Sequence, residues 1–199
     1  MVGGAPRLIA RRRIVRKAVS LLAAFAAVAG TVARAEVYFV AGSCRDGVPN
    51  GAYELRMPDG QMRVIGAFAK GRRTGTFLFW TSTGVRIAVI PYDDGVPTGT
   101  VALWYAQIAP RGEPRRKLES AYAGGVLHGE TRSWHANGRL RSEYRYERGV
   151  LNAARAWTAS GAPLSESAAR RLAERDRATD ADFYASLEQI VADNALHCD

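Results

Sequence analysis

Sulfur and imidazole are scarce in this 199-residue chain, which has two cysteines, three methionines and three histidines. The histidines are His128, His135 and His197, and the first two have no nearby cysteine or acid at metal-ligand spacing. His128 and His135, seven residues apart, therefore read as polar turn residues. No Gly-x-Ser-x-Gly elbow, phosphate-binding glycine loop or calcium loop occurs, and the acids are scattered rather than paired. These absences leave no candidate catalytic residue, no metal ligand set and no cofactor site. The expectation is a protein that is not an enzyme.

Acidic residues are missing altogether from residues 1–35, which hold seven of the 28 Lys/Arg. Arg7, Arg11, Arg12, Arg13, Arg16 and Lys17 form a basic region, and Ala18 to Val32 is an apolar run. Ala33-Arg34-Ala35 then places small residues at both positions a signal peptidase needs. Residues 1–35 read as a cleavable secretory signal, too short for a comfortable membrane span. An uncleaved anchor is the alternative, and the paired arginines leave Sec and twin-arginine export both open. The expected location is periplasmic or secreted.

Removing the signal changes the electrostatics. The whole chain carries +9, but residues 36–199 hold 21 basic and 19 acidic residues, a net +2. The high isoelectric point thus reports the leader, and nucleic acid is not an expected partner. Charge is uneven in what remains: residues 36–164 carry +6 and residues 165–199 carry −4. The two parts either attract each other or present separate solvated surfaces.

What the chain does have is a repeat. Glycines at 51, 75, 99 and 129, and Asn152 in the same column, open five units spaced 24, 24, 30 and 23 residues apart. All four tryptophans, Trp80, Trp104, Trp134 and Trp157, lie five residues after an opening position. Phe68, Tyr92, Tyr122 and Tyr146 close the units. Asp59-Gly60 and Asn137-Gly138 are hairpin turn signals, and Met62, Val64, Gly66 and Phe68 alternate along a returning strand. One hairpin cannot bury its apolar face, so neighbouring units must stack and share it. The fold expected is mainly β, an extended antiparallel sheet of about five hairpins over residues 36–164, roughly 45–50 Å long.

This column pattern resembles the MORN repeat in its bacterial variant form, from about Asp46 to Leu164 and most strongly over Gly71–Asp94 and Gly125–Gly149. Arg56 stands in for the aromatic in the first unit and Asn152 for the glycine in the last, as terminal caps do. The resemblance implies a non-enzymatic interaction module, a scaffold or membrane-surface element, with an antitoxin-like branch. No catalytic residues come with it.

Six extra residues interrupt the third unit at its turn, where Arg111, Arg115, Arg116 and Lys117 form the most basic point after the leader. They read as a solvated loop or as a contact for an anionic partner, either an acidic protein or an anionic membrane surface. The tryptophan column reads as repeat core or as a platform for a partner. Another protein of the envelope is the expected partner, and oligomeric state is left open.

Beyond Gly161 the glycines stop, and residues 165–199 read as a helical tail in two pieces. Ser165 or Ser167 caps Ala168 to Arg177, and Thr179 caps a second helix carrying Phe183, Leu187, Ile190, Val191 and Asn194 on one stripe. Export makes a disulfide the default for Cys44 and Cys198. The pair lies before the first hairpin and after the last, so an intrachain bridge requires the tail to run back along the array. Intermolecular bridges are the alternative.

Overall fold

Five tight turns set the period. Asp46-Gly47, Lys70-Gly71, Asp94-Gly95, Gly124-Gly125 and Arg148-Gly149 have positive φ at both residues. That is the type I′ geometry, whose twist matches that of the flanking strands. At Lys70 (φ 50°) a side chain tolerates the left-handed region, and Gly71 (φ 78°) meets no steric cost there. The N–H groups of Gly71, Gly95, Gly125 and Gly149 donate to Pro49, Arg73, Pro97 and Leu127 carbonyls at 2.8–3.0 Å. Each of these four turns is thereby bonded to the unit before it.

The computed structural model describes residues 38–108 and 112–198. The leader read in residues 1–35 lies outside them. Strands β1 (Phe39–Arg45), β2 (Val48–Arg56), β3 (Met62–Ala69), β4 (Arg72–Trp80) and β5 (Arg86–Asp93) lead to the two-residue β6 (Val96–Pro97). They are followed by β7 (Gly99–Ile108), β8 (Pro114–Ala123), β9 (Val126–Trp134), β10 (Leu140–Glu147), β11 (Val150–Ala156) and one helix, α1 (Glu166–Asp193). All strands join one antiparallel sheet in sequence order, except that β6 pairs only with β5. The repeat hairpins are β2–β3, β4–β5, β7–β8 and β9–β10, with the fifth reduced to β11 and a Trp157–Pro163 bridge.

Two features depart from expectation. An extra strand, β1, caps the first unit, so the sheet begins before Asp46. The tail is one continuous helix rather than two. Ser165 is the N-cap and accepts from the Ala168 N–H, whereas Thr179 turns its hydroxyl back to the Arg175 carbonyl at 3.0 Å. A threonine can make that i−4 bond without ending a helix, and no glycine or proline lies between 166 and 193.

Twenty-eight residues of helix span about 42 Å. Ten strands on the hydrogen-bonded path, at about 4.8 Å spacing, span about 43 Å. The helix therefore crosses the sheet once, from β11 back to β1. It ends at the Cys44–Cys198 disulfide, with Cα atoms 5.7 Å apart across 154 residues of sequence. The Asn194 carbonyl at its C-terminus accepts from the Tyr53 hydroxyl at 2.9 Å.

The core lies between α1 and one sheet face. Leu55, Val64, Phe79, Ala88, Leu103 and Leu118 form one continuous cross-strand row, all buried. Leu187 and Val191 of the helix close over the aromatic end. At the other end Ala169 and Ala173 pack on Ala154 and Ala156. The core column thins along the array: Tyr53, Phe77, Val101, Thr131, Ala154 at one position, and Leu55, Phe79, Leu103, Ser133, Ala156 at the next alternate one.

Candidate functional site

Register shifts recur at one place in each hairpin, between Leu55 and Arg56, Phe79 and Trp80, Leu103 and Trp104, and Leu140 and Ser142. Each leaves one extra residue on the returning strand: Arg63, Ile87, Lys117 and Arg141. A bulge turns such a residue out of simple alternation. Here it aims three of them at the helix side: Ile87 joins the core, Lys117 lies over the Phe183 ring at 5.5 Å, and Arg141 reaches α1.

Arg141 donates to both carboxylate oxygens of Asp176, at 2.7 and 2.8 Å, and the Tyr144 hydroxyl donates to the same group at 2.9 Å. Arg73 donates to Glu188 at 2.7 Å. The basic array and the acidic tail thus attract each other through specific pairs. Burial pushes the Tyr53 and Tyr92 hydroxyls up to about 12, so both stay neutral donors. With α1 fastened at both ends, this face is occupied.

The other face is not covered by α1. Its central cross-strand row reads Glu54, Ile65, Leu78, Val89, Ala102, Glu119, Arg132, Glu143, Arg155. The β3–β7 part of that row is apolar and its large members are half-buried. Over β9–β11 the charges neutralise one another: Arg132 pairs with Glu130 at 2.9 Å and with Glu143 at 3.5 Å, and Arg155 pairs with Glu143 at 3.4 Å. Trp80, Trp104 and Trp134 stand one alternation step beyond the buried Phe79, Leu103 and Ser133, which puts them on this side. All four tryptophans are half-buried. Arg86 lies over the Trp104 ring at 4.5 Å and Arg116 at 5.2 Å.

The basic cluster expected in the third unit is dispersed. Arg115 donates to the Ala136 carbonyl of the next turn at 2.6 Å. Arg116 stacks on Trp104 and pairs with Glu119, Lys117 faces the helix, and Arg111 lies outside the described residues. Trp157 occupies the residual fifth hairpin at the Pro163 bridge. His128 accepts from the Arg148 N–H at 3.3 Å, and His135 bonds the Trp157 carbonyl at 2.9 Å, both tying one turn to the next unit. Among the described residues no group of three His, Cys, Asp or Glu is placed to hold a metal ion. Arg86, Leu78 and Val89 were not singled out from sequence. The signal lay in their register opposite Trp80 and the Ile65 row, which single positions do not display.

The fold and this site define a class: an open β-hairpin repeat sheet with a disulfide-anchored helix on one face. No known protein-family model matches the chain, and no curated protein matches it.

Proposed function

We propose that the chain is an exported, non-enzymatic repeat protein of MORN type that binds another envelope protein through the uncovered sheet face. The observation that carries this reading is the aligned row Ile65, Leu78, Val89 and Ala102 beside Trp80 and Trp104, on the side away from α1. An apolar centre with aromatic anchors and an arginine margin is the composition that protein interfaces favour. The intrachain disulfide fits an oxidising compartment. No helix among the described residues is long and apolar enough to cross a membrane.

The test is capture of partners from the native envelope fraction on immobilised residues 36–199, beside the Leu78→Asp and Trp104→Ala variants. One stoichiometric protein, lost with both variants, is the expected result, and a co-encoded toxin as that protein narrows the reading to an immunity role. Arg86 and Arg116 over Trp104 favour a second reading, adsorption to an anionic membrane surface. Salt-sensitive binding to phosphatidylglycerol vesicles without a protein partner selects it instead.

A further inference from the structure

The core residues of the repeat predict a filled interior, yet the fourth unit leaves space. Where the second unit has Phe77 and Phe79, the fourth has Thr131 and Ser133. Facing Thr131, between α1 and strands β8–β10, is a cavity of about 190 Å³ lined by Tyr122, Tyr144, Tyr146, Tyr184, Thr131 and Asp180, among others. A cavity of about 150 Å³ already admits a benzene-sized molecule.

Two properties of the lining point to one class of ligand. Four tyrosine rings surround the space in two edge-to-face pairs, Tyr122–Tyr184 at 6.2 Å and Tyr144–Tyr146 at 6.4 Å between centroids. Ring faces carry negative quadrupole potential and attract cations, which is how aromatic cages hold quaternary ammonium groups. The second property is charge. Asp176 at the margin is neutralised by Arg141, but Asp180 has no salt bridge or hydrogen bond among the described residues. Lys117 and Arg141 act on it only through space, and Arg177, which also lines the cavity, bonds the Gly149 carbonyl at 3.2 Å. Thr131 lines the cavity as well, and its small side chain leaves the room that an aromatic takes in the second unit.

We propose that this cavity binds a small organic ammonium ion, held by the tyrosine cage and the Asp180 carboxylate. Burial raises Asp180 from the ordinary 3.8 to about 6, which leaves it mostly ionised near neutral pH and without a directly bonded counter-charge. The bound cation supplies that charge.

The experiment is calorimetric titration of disulfide-intact residues 36–199 with choline, and with its neutral isostere 3,3-dimethyl-1-butanol. Tyrosine ring resonances, followed in parallel, locate the site. Saturable choline binding at millimolar concentration or below is expected, with the neutral isostere at least about tenfold weaker. Asp180→Asn weakens choline at least about tenfold while leaving the chain folded. Thr131→Phe, which restores the aromatic of the second unit, fills the space and abolishes binding. Absence of binding up to about 10 mM choline overturns the proposal. So does equal affinity for the neutral isostere, or unchanged choline affinity in Asp180→Asn.

Discussion

Arg141 on β10 and Asp176 on α1 are joined by two parallel hydrogen bonds of 2.7 and 2.8 Å, with both side chains largely shielded from water. Such bidentate pairing resists salt and orients both partners. It fixes the azimuth of the helix at the polar end of the core, where Ala169 and Ala173 pack beside Tyr144, Tyr146, Ala154 and Ala156. Asp176→Ala leaves the guanidinium and the Tyr144 hydroxyl without their acceptor, and costs about 2–3 kcal/mol of unfolding free energy. Urea titration of both proteins at low and high salt measures this. A loss that disappears in high salt would place the pair among ordinary surface bridges.

The Cys44–Cys198 bridge closes a very long loop, and removing it lowers stability by about 4–5 kcal/mol in the chain-entropy account. Thermal unfolding of the double Ser variant, compared with the oxidised protein, reads the difference. Intact mass of the oxidised protein should show no free thiol and no covalent dimer.

Asp180 gives stability a pH dependence of defined sign. Burial raises its folded-state pKa to about 6, above the ordinary 3.8. Between those values the fold holds a proton that the unfolded chain has released, so this group's contribution falls as pH rises through about 6. Asp180→Asn should flatten the slope between about pH 4 and 6 and raise the melting temperature near neutrality. An unchanged pH profile in the variant would show that the carboxyl is well solvated.

Gly66 is held to glycine by contact rather than by backbone angle. A Cβ there would meet three ring atoms of Phe77 at 2.5–2.6 Å, and Phe77 is fully buried among Tyr53, Phe68 and Tyr92. Gly66→Ala should cost about 1–3 kcal/mol, the range of overpacked cores. Pairing it with Phe77→Leu should recover part of that loss, and additive losses would rule out the contact.

On the uncovered face the expectation reverses. Leu78→Asp replaces a half-buried side chain between Ile65 and Val89, and its effect on unfolding should stay within about 1 kcal/mol. Partner capture should nevertheless be lost. Comparing denaturation midpoints with capture yields separates the two effects, and a large destabilisation would mean the face belongs to the core.

Much of the architecture was legible before any coordinates. The Asp59-Gly60 and Asn137-Gly138 turns, the closing aromatics and a helix capped by Ser165 each follow from local rules, and all appear in the structure. Pairing of Cys44 with Cys198 was expected on chemical grounds, and the bridge is there. The direction of Lys117 was not legible, because a single bulged residue reverses a side chain without altering composition. The two-helix reading gave Thr179 the meaning of a cap, which its i−4 bond inside α1 removes. Strand β1 was hidden because its apolar residues follow an apolar leader. The cavity beside Thr131 needed two distant facts together, a thinned core column and the helix laid over it.

Period, turn type and strand alternation are properties of neighbouring residues, so the chain alone specifies the hairpin repeat. The choice of covered face is different in kind. Strands β3 to β5 are apolar on both sides, with Val64, Phe79 and Ile90 on one and Ile65, Leu78 and Val89 on the other, and alternation cannot rank the two. A helix as long as the sheet is wide makes that choice. It is held by Asp176 in its first half, Glu188 towards its end and Cys198 beyond it, and it leaves the opposite face available.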